Sequence, residues 1–193
     1  MAAFGARYIN FAPIDKEEAG KLPTYKSGGK ISLGKLVAAN LTVNFATGEM
    51  YADDMLAENI NEFASGSIAV EVDELEDEKA AVIYGAEVNK NGEKVDNTKD
   101  SAPFGGLAYC KTLSKNNEKF YRGYFYPKVR AALGNDNAAT KSGSITYAST
   151  PINFTVYEPE TGEWRYTKRF GTMEEAKAWV NAKLTNSEPE PAN

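Results

Sequence analysis

The segment from residue 119 to residue 157 constrains the fold most, because it contains two long runs with period-two alternation. In the first run, Tyr121, Phe125 and Val129 share one parity. The opposite parity carries Arg122, Tyr124, Tyr126, Lys128 and Arg130. Such alternation, with aromatic and β-branched residues, is typical of a β-strand. The segment therefore predicts two long strands around a loop of small residues, with Tyr121, Phe125 and Val129 facing the core.

The second run changes parity part-way along. Ile145 and Tyr147 share one parity, whereas the apolar residues from Ile152 onward lie on the other. A strand cannot change faces without an extra residue, so a bulge or break is predicted at residues 149–151. Pro151 suits such a position, because proline donates no hydrogen bond to a neighbouring strand.

Histidine is absent from the 193 residues, and Cys110 is the only cysteine. A Ser-His-Asp triad, a Cys-His pair and a histidine-containing zinc site are therefore impossible. A single cysteine cannot form an intramolecular disulfide, and we expect Cys110 to be a small buried apolar residue on a strand. No catalytic, cofactor-binding or metal-binding residue is predicted.

The formal net charge of −5 argues against tight non-specific binding to nucleic acid, which requires clustered Lys and Arg. The first residues lack the basic and apolar regions of a signal peptide. No apolar run approaches the roughly 20 residues that span a bilayer. We expect a soluble protein made in the cytoplasm, without a membrane partner.

The chain divides into three predicted parts. Residues 1–30 are interrupted by Pro and Gly and are expected to form an irregular N-terminal arm, packed on its own domain or on a neighbouring subunit. Residues 31–185 form the main domain, whose first strand is expected to end in a turn at residues 46–48. Residues 186–193 are polar and Pro-rich, which predicts a disordered tail.

Two helices are predicted within the main domain. Asp73 and Glu76 have the spacing of a capping box before a helix over residues 74–84. Thr172 and Glu175 form a second such pair, before a helix that ends near Leu184. Together with seven or eight strands, they predict a mainly β (α+β) fold. Its architecture is an antiparallel β-sandwich or barrel of two packed sheets, with one or two short flanking helices.

An acidic segment at residues 48–63 contains the carboxylate pair Asp53 and Asp54 beside Tyr51. Paired carboxylates suit general acid–base catalysis or binding of a divalent ion. Adjacent residues of a strand point to opposite faces, however, and Asp in loops commonly caps turns, which favours a structural role. In the basic and aromatic run at 119–130, a solvated strand face is likewise favoured over nucleic-acid binding.

Four segments follow one another along the chain: MYADD at 50–54, FASGSIAVEVDEL at 63–75, PFGGLAYCKTLSKNNEKFYRGYFYPKV at 103–129 and TKSGSITYASTPINFTVY at 140–157. In this order and spacing they resemble the major tail tube proteins of bacteriophages with long non-contractile tails. The resemblance covers roughly residues 30–160.

The resemblance implies a structural subunit of the virion, not an enzyme. Such subunits form hexameric rings that stack into a tail tube, which encloses the tape measure protein and meets tail terminator and distal tail proteins. The tube conducts double-stranded DNA into the host, and that passage is transient and non-specific. An acidic protein suits this role, because a lumen that repels phosphate lets DNA slide.

Two other classes of function remain open from the residues alone. One is a non-catalytic β-sandwich module that binds carbohydrate or peptide through Tyr124, Tyr126 and Trp164. The other is a glycoside hydrolase that uses Asp53 or Glu62, which would require two carboxylates roughly 5–10 Å apart in a cleft.

Overall fold

The strands form one antiparallel sheet of nine strands and a separate pair of strands in the computed structural model, which describes residues 2–52, 55–116, 118–133 and 149–186. The strands are β1 (Ala2–Lys16), β2 (Thr24–Tyr25), β3 (Ile31–Ser32), β4 (Leu36–Ala52), β5 (Met55–Val72), β6 (Glu87–Val88), β7 (Lys94–Val95), β8 (Phe104–Lys115), β9 (Glu118–Ala132), β10 (Thr150–Val156) and β11 (Tyr166–Phe170). The helices are α1 (Asp77–Tyr84) and α2 (Met173–Leu184).

The main sheet has the order β2-β1-β8-β9-β10-β5-β4, and β6 and β7 form the separate two-stranded sheet. In addition, β3 pairs with β1, and β11 pairs with the first half of β9, whereas β10 pairs with the second half. Strands β1 and β4, near opposite ends of this order, contact each other. The sheet therefore curls over one core, and the predicted fold class is confirmed: mainly β, antiparallel, with few helices.

Both faces of β8 and β9 are buried, each in a different apolar cluster. Tyr109 and Tyr126 belong to the cluster enclosed by the curled sheet. Cys110, Phe125 and Trp179 belong to the cluster between the sheet and α2. We call these two sides the inner face and the helix face. As predicted, Cys110 is a buried residue on a strand.

The facing predicted for β9 is wrong in its second half. Tyr126, assigned to the polar face, is 0% exposed, and Val129 lies with it on the inner face instead of with Phe125. The pairing with β8 shows the reason: Gly105 pairs with Val129 and Leu107 with Tyr126, so β9 contains one extra residue. This bulge lies beyond Tyr126 and exchanges the parities for Val129. Tyr126 keeps the parity of Tyr124 and is buried because both faces of β9 are covered.

The bulge predicted at residues 149–151 is absent from the part of that segment that pairs. Thr150 and Pro151 pair with Val72 and Glu71, and the register continues unbroken to Val156. Ile145 and Tyr147 lie outside the described residues.

The sequence had suggested an irregular arm over residues 1–30. Residues 2–16 instead form β1, which pairs with β8. Two register shifts interrupt this pairing, and Tyr8 has a positive φ of 63° at the second. The shifts break the alternation and so hide the strand in the sequence. Ile9, Phe11 and Ala12 are 0% exposed, which shows that β1 belongs to the core.

Helix α2 begins as predicted. The backbone N–H of Glu175 donates to Thr172 Oγ1 at 3.3 Å, and that of Thr172 donates to Glu175 Oε2 at 3.2 Å. After the helix, Asn186 exchanges two hydrogen bonds with the backbone of Tyr25, so it does not begin a free tail. Residues 187–193 lie outside the described part of the chain.

Helix α1 begins at Asp77, three residues later than predicted, and its N-cap Glu76 makes no side-chain capping bond. The Asp73 carboxylate instead accepts hydrogen bonds from the backbone N–H groups of Lys35 and Glu74, at 2.7 and 2.9 Å. These bonds, first that from Lys35, lower the pKa of Asp73. Asp73 therefore ties the start of β4 to the end of β5.

Gly123 should be intolerant of substitution, because a Cβ atom there would lie 2.6 Å from Trp179 Cε3. We expect Gly123→Ala to lower the free energy of unfolding by about 1–3 kcal/mol, since α2 or the strand must shift. Gly48→Ala is the matched control, because its Cβ would have no atom within 4 Å. Equal urea midpoints for both variants would show that α2 does not pack on Gly123.

Candidate functional site

The longest feature of the molecule is the hairpin formed by β4 and β5. The two strands pair from Leu36 and Val72 at the base to Ala52 and Met55 at the outer end. The turn predicted at residues 46–48 is wrong, because β4 continues through it to Ala52. Thr47 and Gly48 pair with Asn61 and Ile60 as ordinary strand residues.

The outer half of this hairpin leaves the body of the protein. Pairing of β10 with β5 ends at Gly66, and a register shift follows at once in the β4–β5 pairing, between the pairs of Asn44 and Phe45. Residues 44–50 and 59–62 are all exposed. At about 3.4 Å per residue, the strand from Phe45 to Ala52 is about 24 Å long.

Large apolar side chains are exposed on this outer half. Phe45, Met50 and Ile60 are 53%, 55% and 52% exposed. Met50 and Ile60 share one face, because Ile60 pairs with Gly48, two residues from Met50. Apolar groups gathered on one projecting element are typical of a protein–protein contact.

The edge of β4 that faces away from β5 could also bind a partner strand. Strand β4 is the last in the sheet order, and among the described strands it pairs only with β5. Apart from the Ala39 carbonyl, which accepts a hydrogen bond from Lys111 Nζ, the outer side of this 17-residue strand faces no other described strand. Such an edge is a template for pairing with another strand.

Charge is strongly segregated between the hairpin region and the rest of the chain. Residues 36–78, from the start of β4 into α1, contain eleven Asp and Glu residues and no Lys or Arg. The net charge of the whole chain is −5, so the remaining residues carry a net charge of +6. The molecule is thus an acidic hairpin on a basic body.

The carboxylates considered for catalysis are not assembled into a site by the described residues. Asp53 and Asp54 lie outside them, as does the side chain of Tyr51. Glu62 is exposed on the hairpin. Within the described ranges, no group of three or more Cys, Asp or Glu side chains is arranged to hold a metal ion.

The aromatic residues considered for ligand binding are packed against other aromatic rings. Tyr126 is fully buried, and Tyr124 is stacked on Tyr109 with ring centroids 5.2 Å apart. Trp164 is stacked on Phe63, with centroids 4.4 Å apart. These three residues therefore form no free platform for a sugar ring.

An open groove of about 410 Å³ lies where the loop after β7 meets the end of β9. Arg130 lies along it and donates to Ser101 Oγ at 2.6 Å, while its guanidinium stacks on Phe104. Asp96 and Asp100 also line the groove, but Asp96 pairs with Lys94 and Asp100 accepts from the backbone of Asn97. The charged groups are thus engaged within the protein.

Buried tyrosines are the main perturbed titratable groups. The hydroxyl oxygens of Tyr109 and Tyr126 lie 3.4 Å apart in the inner cluster, and Tyr25 Oη donates to the carbonyl of Pro127 at 2.9 Å. Burial raises the pKa of all three phenols above the ordinary value near 10. Burial likewise raises the pKa of the Cys110 thiol to about 11, so it is not an activated nucleophile.

These tyrosines predict loss of stability at alkaline pH. A group whose pKa is raised on folding contributes stability below its unfolded pKa and loses it as pH rises beyond, here above about pH 10. Tyrosinate absorbance should therefore increase together with unfolding. Tyr109→Phe/Tyr126→Phe should keep more of its neutral-pH melting temperature than the wild type does. Identical alkaline profiles for both proteins would contradict this assignment.

Sequence reasoning did not identify the projecting hairpin as one unit. A signal was present, because residues 36–72 contain no Pro, and two runs of similar length flank the turn-forming pair Asp53-Asp54.

None of the described helices is long and apolar enough to cross a membrane. No protein-family model matches the chain, and no curated protein is significantly similar to it.

Proposed function

We propose that this protein is the structural subunit of a phage tail tube, whose copies form hexameric rings that stack into a conduit for DNA. The observation that carries the proposal is the β4–β5 hairpin, which projects an open strand edge and apolar side chains away from a body whose core is already filled. A second copy of the chain is the natural occupant of such a surface.

The shape of the surface supports assembly into rings. The hairpin projects from one side of the sheet order, and the basic residues lie on the body, so the acidic and basic surfaces are different parts of the molecule. A contact between two different surfaces is heterologous, and repetition of it generates closed rings or open filaments. A tube of stacked rings has both kinds of contact, because one contact closes each ring and another repeats from ring to ring.

The segments that resemble tail tube proteins lie mainly in the framework. FASGSIAVEVDEL includes the part of β5 that pairs with β10, and PFGGLAYCKTLSKNNEKFYRGYFYPKV includes β8 and most of β9. The tape measure protein, the terminator and distal tail proteins and the passing DNA are partners in this proposal. No residue is assigned to any of them.

Sedimentation velocity over a range of concentrations tests the proposal. We expect the 21.0 kDa chain to give species of six subunits and larger, in amounts that rise with concentration. A single monomeric species at every concentration and salt condition would contradict it.

A further inference from the structure

We propose that a row of three cations on the inner face, Lys111, Arg122 and Arg169, is the docking site for the acidic hairpin of a second copy. This inference rests on the proposed function, because it names the contact by which the subunits associate. It follows from the strand register and from the distribution of charge.

The register places the three cations side by side on adjacent strands. Arg122 of β9 pairs with Lys111 of β8 on one side and with Arg169 of β11 on the other. Directly paired residues share a face, and Tyr124, two residues from Arg122, packs against the inner cluster. The cations therefore extend the inner face beyond its aromatic core.

Like charges directly opposite one another on neighbouring strands are unfavourable, and here the unfavourable pair occurs twice. Lys111 Nζ donates to the carbonyl of Ala39, and the Arg169 guanidinium lies 3.7 Å from the ring centroid of Phe120. Neither contact neutralises charge. Within the described part of the chain, no carboxylate forms an ion pair with any of the three. Such a row is suited to an external anion.

The same chain supplies a matching anion. The outer half of the hairpin, residues 46–62, contains five carboxylates and no basic residue. Residues 46–50 and 59–62 are exposed, and the length of about 24 Å allows the hairpin to reach a neighbouring molecule. Within the described part of the chain, no ion pair joins the row to Glu62 of its own hairpin. Charge complementarity therefore selects a second copy as the occupant.

Charge reversal tests the contact. We expect Arg122→Glu/Arg169→Glu to raise the protein concentration at half-assembly by at least ~10-fold, because like charges then meet across the contact. Lys119→Glu/Lys168→Glu is the matched control. It makes the same change in net charge at exposed positions with the opposite parity on the same two strands, and it should assemble as the wild type does.

Complementation identifies the partner. Glu49→Lys/Glu62→Lys reverses one exposed carboxylate on each face of the hairpin, because Glu62 pairs with Ala46, which has the opposite parity to Glu49. The test therefore does not depend on which hairpin face makes contact. Each reversed protein alone should assemble poorly, and a mixture of the two should assemble better than either. Wild-type assembly by Arg122→Glu/Arg169→Glu would overturn the inference while leaving the proposed function intact.

Cross-linking tests the contact between two copies even if the wild type does not form rings. In an equal mixture of ¹⁴N and ¹⁵N Arg169→Lys protein at high concentration, carbodiimide should join position 169 to hairpin glutamates of the other isotope. Absence of such mixed links would overturn the inference independently of ring formation. Unchanged assembly by Arg122→Glu/Arg169→Glu with loss of binding to duplex DNA would assign the row to a polyanion instead.

Discussion

A variant in which residues 46–62 are replaced by Asn-Gly is expected to remain folded and to lose self-association completely. The described strand residues of this segment, 46–52 and 55–62, pair with each other, and the β10–β5 pairing begins further in, at Gly66. The new turn would join Phe45 and Phe63, which already pair, through a dipeptide that favours a tight hairpin. The body should lose little stability, because residues 46–50 and 59–62 are exposed and contribute no member of either buried cluster.

Thermal melting and sedimentation velocity together check this expectation. The melting temperature should fall by no more than a few degrees, whereas the oligomeric species should disappear. A matched control keeps the hairpin length and replaces the exposed Met50 and Ile60 by Thr, which removes apolar contact but preserves the strands. We expect intermediate assembly from this control. Full assembly by the shortened variant would show that the hairpin is not the contact.

Phe125→Asp and Tyr126→Asp are each expected to unfold the subunit. Phe125 is 2% exposed on the helix face and Tyr126 is 0% exposed on the inner face. Each substitution removes a large aromatic side chain and buries a carboxylate, at a cost of more than about 5 kcal/mol, which is comparable to the stability of a whole domain.

The pair is informative because the two residues are adjacent on one strand. A strand with a solvated face would tolerate one of the two substitutions. Circular dichroism should show loss of the folded signal for both, whereas Lys119→Asp, at an exposed position of β9, should melt like the wild type. A folded Tyr126→Asp protein would mean that the inner face is open to water.

Much of the fold could be predicted from local patterns. Alternation correctly identified β8 and β9, and the Thr172–Glu175 pair correctly placed the start of α2, because both patterns express contacts between residues close in sequence. The absence of histidine was equally informative for function, since it excludes several kinds of site without any knowledge of the fold.

What could not be predicted depends on single extra residues and on distant partners. One bulge in β9 places Val129 on the face of Tyr126 instead of that of Phe125, and two register shifts in β1 conceal a strand that lies beside β8. The alternation of β9 does not reveal its bulge, because large apolar residues lie on both faces of the strand. The hairpin was missed for a related reason: Gly48 suggested a turn, but its pairing with Ile60 keeps it within a strand.

The cationic row likewise could not be predicted from local sequence patterns. Lys111, Arg122 and Arg169 are far apart in the sequence, and each alone resembles a solvated charge. Only the register of three strands brings them into line. The acidic segment was visible in the sequence, but its role as one projecting arm was not.

Negative-stain electron microscopy of the purified protein at rising concentration tests the central claim most directly. We expect rings with a central hole and, at higher concentration, tubes built from stacked rings, with neither formed by the variant that lacks residues 46–62. Isolated single particles of the wild type at every concentration, with no rings or tubes, would contradict the claim that this chain is a tube subunit.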